Sequence, residues 1–292
     1  MAITASLVKE LRERTGAAMM DCKRALEATG GDLEAAIEKM RMDGQAKADK
    51  KASRVAADGV VCFAENDSAV AILEVNCETD FVAKGDDFLG LANAAVQAVL
   101  EQRPADIEAL SALSVDGATL DERRRSMVSK LGENMTFRRF QVLDKAGAGA
   151  GTYSHGGRIG VAVVMKSGDD ETARDLAMHV AASNPQFVSA DDVPAEVREE
   201  EKKVLVAQAA DSGKPAEIIE KMVEGRLRKY LAEITLMGQP FVKDPDQTVE
   251  KLLKARGAEV AGFVRYEVGE GIEKAEDDFA SEVMATAKAS IG

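Results

Sequence analysis

Two histidines, three cysteines and no tryptophan leave little of the usual chemical equipment in this 292-residue chain. His155 and His179 alone cannot make a His-rich metal cluster. Cys22, Cys62 and Cys77 are odd in number and show no Cys-x-x-Cys spacing, so reduced thiols are expected rather than disulfides. A Cys/His nucleophile pair stays formally open, with Cys77 or His155 as the reactive group. Against it, Cys62 and Cys77 fall in strand-like runs, where burial makes a thiol inert. No loop is shaped for phosphate: Gly213-Lys214 is followed by Pro215 and has Gln208 where the Gly-x4-Gly-Lys-Ser/Thr pattern needs glycine. Gly156-Gly157-Arg158-Ile159-Gly160 lacks the dinucleotide-binding spacing. No enzyme with its own active site is expected, and no cofactor or metal. Also missing is any apolar run near the ~20 residues that span a bilayer. No basic-then-apolar leader opens the sequence, so a cytoplasmic location is expected.

Positive charge is scarce too. The formal net charge is −13, which argues against a protein that lives on nucleic acid. The imbalance is uneven: residues 1–54 hold 11 Lys/Arg and 9 Asp/Glu, out of totals of 38 and 51. A mildly basic N-terminal piece precedes an acidic body, an arrangement that suits steering toward a protein partner.

What is present reads as α+β. Residues 1–43 carry three short helical patterns. Thr4 is placed to cap the first, with Leu7 and Leu11 on one face. Cys22, Ala25 and Leu26 face inward on the second, and Gly30-Gly31 ends it. Asp32 caps a third that buries Leu33, Ala36, Ile37 and Met40. Such a unit resembles ubiquitin-associated domains and is too small to do more than bind. Met19 and Met20 at its first turn suit adaptable contacts or closure of the small core. Residues 44–56, small and charged, read as a tether.

From Ala57 the pattern changes to period two. Residues 59–64 and 69–75, joined by a turn at 65–67, read as a hairpin. A helix follows from about Asp87 to Gln102, with Phe88, Leu91, Ala92, Ala95, Val96 and Val99 on its apolar face; another runs from about Thr119 to Leu131. Residues 135–142 alternate like a returning strand. A similar order recurs: a strand through 152–155, a Gly156-Gly157 turn, a strand over 159–165 and a helix from Asp170 to about Ser183. That suggests a duplicated unit. Two long helical runs over 195–235 interrupt the second copy as an antiparallel hairpin of coiled-coil type. One stripe holds Val197, Val204, Leu205 and Gln208; the other holds Ile218, Ile219, Met222, Val223 and Leu227. A short helix, 248–254, and a strand, 260–268, follow. The C-terminal run 277–283, with Phe279, is amphipathic and suits docking on a neighbour or packing on its own core. The expected parts are therefore 1–54, the three-helix unit and linker; 55–148 and 149–269, two related α+β subdomains with antiparallel sheets; and 270–292, a C-terminal helical module.

The stretch Val75-Asn76-Cys77-Glu78-Thr79-Asp80-Phe81-Val82-Ala83-Lys84 supports two readings. In one, Thr79 or Asp80 caps a helix and Phe81 is pinned to the core. In the other, Phe81 is an apolar wedge beside a carboxylate, presented to a partner. His155, beside glycines at a tip, is a second exposed candidate.

These segments together resemble the translation elongation factor Ts family. The resemblance spans nearly the whole chain. It rests most on Arg14-Thr15-Gly16 with residues 19–26, on residues 74–84, on Gly156-x-Arg158-Ile159-Gly160-Val161, on His179-Val180-Ala181-Ala182-Ser183 and on Gly269-Glu270-Gly271-Ile272-Glu273-Lys274. The chain departs from the family's usual pattern at Ala18, at Glu78 and at Gly85-Asp86. The resemblance implies a guanine-nucleotide exchange factor for elongation factor Tu, without an active site of its own. It implies that Asp80, Phe81, Val82 and Ala83 approach the partner's Mg²⁺ site and dislodge the ion. It assigns further partner contacts to Met19, Met20, Lys23, His155, Gly156, Ile272 and Phe279. A homodimer through the core or the helical hairpin stays open. The competing reading is a protein-binding adaptor of ubiquitin-associated type with no exchange activity.

Overall fold

A computed structural model of the chain describes residues 3–145, 147–210 and 215–273. The N-terminal unit is α1 (Ala5–Thr15), α2 (Met19–Ala28) and α3 (Leu33–Lys51). Thr4 Oγ1 accepts the Leu7 N–H at 3.3 Å, and Asp32 Oδ1 accepts that of Ala35 at 2.9 Å. Gly16, with φ +65°, closes α1 in the left-handed conformation that only glycine adopts without strain. The unit buries Val8, Leu11, Cys22, Ala25, Leu26 and Ala36 as its own small core.

One expectation fails here. Residues 44–51 are not a tether but the last two turns of α3. Gly44 and Ala48 are the cause: both are buried. A Cβ at Gly44 would already touch the Ser129 side chain at 3.5 Å. Small residues at i and i+4 let the helix lie close against its neighbour. The charges that read as solvated are tied down as well. Asp49 accepts from Arg125 at 2.7 Å, and Lys51 Nζ donates to the Gly132 carbonyl at 2.5 Å.

Next come β1 (Asp58–Glu65), β2 (Ala69–Cys77), the single turn α4 (Asp80–Ala83), α5 (Asp86–Gln102) and α6 (Ile107–Ala112). They are followed by the small ladder β3 (Ser114–Val115) and β4 (Ala118–Thr119), α7 (Leu120–Leu131) and β5 (Met135–Asp144). Among these α4, α6 and the β3–β4 ladder are too short for periodicity to reveal. Strands β1, β2 and β5 form an antiparallel sheet with β2 in the centre. A second hairpin, β6 (Ala150–His155) and β7 (Ile159–Ser167), precedes α8 (Asp170–Ser183). The hairpin helices α9 (Ala195–Ala210) and α10 (Ala216–Ile234), the pair β8 (Pro240–Phe241) and β9 (Asp244–Thr248), and α11 (Val249–Arg256) lead to β10 (Glu259–Glu267). The second sheet runs β10-β7-β6, again antiparallel with the hairpin's second strand in the centre.

The two units share one topology: a hairpin, a helix across it, then a strand returning beside the hairpin's second strand. Even the helix ends agree, α5 stopping at Arg103 with φ 47° and α8 at Asn184 with φ 45°. Each helix covers one sheet face, and the opposite faces meet. That makes both central strands buried on both sides. On β2, Ala69, Ala71, Leu73, Val75 and Cys77 face α5, whereas Val70 and Ile72 face the second sheet. On β7, Val161, Val163 and Met165 face α8, and Ala162 and Val164 face the first sheet. Two such strands read as continuous apolar runs, each buried Val or Ile stabilising by about 1.5–3 kcal/mol. Gly160 is what lets the sheets close. A Cβ there would lie 2.2 Å from Val61 Cγ1.

The helical hairpin buries Leu205, Ala209 and Val223, with Ile219 and Leu227 beside them. Val204, Gln208 and Ile218, expected on its inner stripes, are exposed. The helices meet along a narrower seam than the sequence stripe suggests, because Ala209 admits close approach. The C-terminal module, including Phe279, lies outside the described residues. No helix among the described residues is long and apolar enough to cross a membrane.

Candidate partner-binding site

Strand β2 delivers the chain directly into α4. Thr79 caps it, its Oγ1 accepting the Val82 N–H at 3.4 Å. Successive helical residues are turned by about 100°, so three in a row cannot share a face. Ala83 is buried and Val82 packs on the first sheet's core, which turns Phe81 outward. Phe81 is 86% exposed, more than any other large apolar side chain among the described residues. The capped-helix reading of this stretch is therefore right about Thr79 and wrong about Phe81, which is not pinned to the core. Beside it, Asp80 Oδ2 accepts from Lys84 Nζ at 2.6 Å. That hydrogen bond, with the lysine's charge, holds the Asp80 carboxyl below the usual carboxylate range, so the tip carries an ionised carboxylate at neutral pH.

The base of α4 is tied to the turn before β5 by hydrogen bonds. Glu133, in the turn between α7 and β5, accepts the N–H groups of Glu78 at 3.1 Å and Thr79 at 3.0 Å, and the Thr79 hydroxyl at 2.6 Å. In return Glu78 Oε1 accepts the Asn134 N–H at 2.6 Å.

Two other candidate segments gather at the same end, around the start of β1. Asp58 pairs with Cys77 at the foot of α4. From the second hairpin, Arg158 donates to Asp58 Oδ1 at 2.6 Å, and the Gly157 carbonyl accepts the Val61 N–H at 2.8 Å. The β6–β7 turn is thus seated beside β1. Gly156 and Gly157, with φ 59° and 73°, make the tight turn that a right-twisted hairpin favours. His155 stands exposed at its lip, its ring stacked on Tyr153 with centroids 6.4 Å apart and Nδ1 3.4 Å from the Tyr153 hydroxyl. The turn after β10 arrives from the other side. Gly269, with φ 74°, passes so close that a Cβ would lie 2.3 Å from the Ala57 carbonyl, and Ile272, half-buried, donates its N–H to the Gly269 carbonyl at 2.9 Å. Phe81, His155 with Gly156, and Ile272 are therefore held by one knot of backbone.

Met19 and Met20 are 54% and 62% exposed on the first turn of α2, and Lys23 lies one turn on, 3.7 Å from Glu27. They belong to the separate N-terminal core, tied to the first sheet's layer through α3 against α7. The structure does not merge them with the Phe81 knot. Asp80, Val82 and Ala83 it places there; Phe279 is outside the described residues.

Sequence reading missed the side chains that fasten this knot. Glu74 is fully buried in the middle of β2. Its carboxylate accepts from Arg139 Nε at 2.6 Å, the Gly269 N–H at 2.8 Å, Arg138 at 2.9 Å and Asn76 at 3.1 Å. Burial pushes its pKa up, but the hydrogen bonds from Gly269, Arg138, Asn76 and Arg139 outweigh that, and the net shift is downward. Arg139 also lies over the Tyr266 ring at 4.3 Å and donates to the Glu267 carbonyl at 3.1 Å. The signal was available: the one carboxylate inside a mainly apolar strand must find partners.

The thiol alternative loses support. Cys62 and Cys77 are buried, and burial pushes both thiols up to about 12. His179 is a core residue whose Nδ1 accepts the Val242 N–H at 3.1 Å, leaving Nε2 to donate to Gln239 Oε1 at 2.9 Å. Among the described residues no three His, Cys, Asp or Glu side chains gather as metal ligands.

Two repeated α+β sheet units, an N-terminal helical unit and an exposed apolar tip on a hydrogen-bonded base have the features of a binding factor. Comparison with known sequences identifies the class. A family model described as elongation factor TS matches residues 78–270. The chain is 60% identical over 291 residues to elongation factor Ts of Thioalkalivibrio sulfidiphilus, covering 99% of each chain. It is 59% identical to that of Hydrogenovibrio crunogenus, over the full length of both, and 57% to that of Methylococcus capsulatus, over 99% and 100%. The chain belongs to the elongation factor Ts family, and hence to the factors of translation elongation.

Proposed function

We propose that the protein is a guanine-nucleotide exchange factor in the cytoplasm: it binds elongation factor Tu loaded with GDP, disturbs the Mg²⁺ and phosphate site and promotes release of GDP, which GTP then replaces. It catalyses no bond change and needs no cofactor. The observation that carries this reading is Phe81, 86% exposed on a one-turn helix whose base is fixed by Glu133. A free protein that leaves a phenylalanine in water forgoes about 1.5–3 kcal/mol of burial. A partner recovers it.

The physical logic is short. GDP is held largely by phosphate charge, neutralised by Mg²⁺ and by backbone N–H groups. An apolar ring driven beside that site displaces its packing, and the ionised Asp80 carboxylate next to it repels phosphate. Coupling is reciprocal: a factor that weakens GDP is itself weakened by GDP. Exchange therefore speeds equilibration in both directions, and nucleotide abundance sets the outcome. His155 and Gly156, Ile272 and, on their separate core, Met19, Met20 and Lys23 are the further contacts of this reading. Val82 and Ala83 seat the wedge.

The test is release of fluorescent GDP from elongation factor Tu. The wild-type chain is expected to accelerate it strongly. Phe81→Ala, losing about 2 kcal/mol of contact, is expected to forfeit about tenfold or more of that acceleration. No acceleration by the wild type sinks the reading and leaves the adaptor alternative, in which Met19 and Met20 bind a helical target without touching nucleotide kinetics.

A further inference from the structure

We propose that Glu133 is a positioning residue for the wedge: its carboxylate fixes the direction in which Phe81 leaves the body. The inference rests on the exchange-factor reading and adds a residue to its machinery.

The geometry carries it. A helix of four residues has no internal cooperativity to hold its own axis, because a single turn fixes several dihedrals for one hydrogen bond. The direction of Phe81 must be set from outside. Val82 and Ala83 anchor the inner side of α4 on the apolar core, but apolar contact is non-directional. Direction comes from the start of the turn. There Glu133 takes both consecutive N–H groups, of Glu78 and Thr79, on one oxygen at 3.1 and 3.0 Å, and the Thr79 hydroxyl on the other at 2.6 Å. Those are charge-assisted hydrogen bonds to the residues immediately before α4, made by a side chain 54 residues away in sequence. With the Thr79 hydroxyl donating to Glu133, its oxygen is turned to accept the Val82 N–H. Glu133 thereby orients the cap as well as the chain.

The anchor itself is held on its far side. In the same turn the Gly132 carbonyl accepts from Lys51, and Asn134 Nδ2 donates to the carbonyls of Ala52 at 3.3 Å and Arg54 at 2.8 Å. These are the residues in which the chain leaves α3. The turn 132–134 thus fastens the wedge to the end of the long helix that carries the N-terminal unit. An approach angle set in this way is fixed relative to both holding surfaces, Met19 to Lys23 on one side and the His155 knot on the other.

The experiment uses the full chain, with fluorescent GDP release from elongation factor Tu measured against factor concentration. Glu133→Ala is expected to lower the maximal release rate about tenfold while changing the half-saturating concentration less than threefold. Glu133→Gln, whose oxygen still accepts the two N–H groups while its amide donates to Thr79 Oγ, is expected to restore most of the rate. In the Phe81→Ala background, adding Glu133→Ala is expected to cost much less than in the wild type, since only Asp80 is left to aim. A merely structural role would not produce that non-additivity. Glu133→Asp keeps the charge but withdraws it by one methylene, and it provides the same loss should Glu133→Ala fail to fold. Amide hydrogen exchange at residues 81–83 of the free variants, expected to speed up, reads the same anchor without the partner. Additive losses, or an undiminished maximal rate in both Glu133→Ala and Glu133→Asp, overturn the inference while leaving the exchange function standing. A wild type without effect overturns both.

Discussion

Replacing Glu74 by alanine is the sharpest test of how this fold is held. Glu74 lies in the face where the two sheets meet and has no exposed surface. Four donors converge on it: the Gly269 N–H, Asn76 and two guanidinium groups. Hydrogen bonds to a charged group contribute about 1.5–3 kcal/mol each, and breaking a buried pair by removing one partner costs about 3–5 kcal/mol. The contributions do not add. The Arg138 and Arg139 side chains keep 24% and 30% of their exposure, so water relieves part of their loss. Gly269 is itself only half-buried, so its N–H gains some of the same relief. The expected cost is therefore near the low end, about 3 kcal/mol, or about 6–12 °C in Tm for a cooperative unit of this size. With no tryptophan in the chain, urea unfolding followed by far-UV circular dichroism is the suitable assay. A pH series adds a second check. The folded carboxyl titrates below its ordinary value of 4.5, so its contribution is complete above that value and is lost as the pH falls through the lower, folded one. The gap between wild type and Glu74→Ala should be constant from pH 7 to about 5 and then narrow. A loss under about 1 kcal/mol, or a gap that persists undiminished into strong acid, would refute the reasoning.

Other outcomes follow from the same contacts. Gly160→Ala places a Cβ 2.2 Å from Val61 Cγ1 and 2.9 Å from Phe63 Cζ, and overpacking between two sheets should cost about 1–3 kcal/mol in the same urea experiment. Phe81→Ala, by contrast, should leave stability within about 0.5 kcal/mol of wild type, which separates its effect on exchange from any effect on folding. Burial lowers the His179 pKa below 6.5, so the unfolded chain binds more protons there. Stability should accordingly decline as the pH drops below about 6.5, and His179→Gln should flatten that slope in a Tm-against-pH series. Cys62 and Cys77, with thiols pushed up to about 12, should resist an aromatic disulfide reagent at pH 8 until urea unfolds the chain; prompt labelling of either in the native protein contradicts their burial.

The long elements were legible because each is written in one period. Phe88, Leu91, Ala92, Ala95, Val96 and Val99 face one way on α5, and all are buried. Repetition was legible for the same reason, since the second hairpin and α8 repeat the order of the first. Residues 44–51 were not, because a helix carrying Gly44 and four charged side chains has no apolar stripe, and its small residues mean contact only once α7 is beside them. Helix α4 was half legible. Thr79 announces a cap, but whether a lone phenylalanine turns in or out depends on which of its neighbours the core has already taken, here Val82 and Ala83.

Strand β5 shows most plainly where a sequence pattern stops. Residues 135–142 read as simple alternation, which sends 135, 137, 139 and 141 to one face. The paired register breaks that parity: Glu74 opposes Arg139 while Val75 opposes Phe137, leaving Arg138 as the extra residue of a bulge. Below the bulge Met135 and Phe137 pack on the first core; beyond it Phe140 and Val142 do. A bulge sets two residues of one strand opposite a single residue of the other, and Arg138 and Arg139 both reach Glu74. The adjacent arginines and the solitary buried carboxylate are therefore one feature seen twice in the sequence, 64 residues apart. Neither is interpretable alone, because a strand tolerates a buried charge only when its neighbour bends to meet it. What that bend fastens, through the Gly269 N–H, is the turn bearing Ile272. The strand that carries Glu74 runs on, three residues later, into the base of the Phe81 helix. Fold and site are joined at that strand.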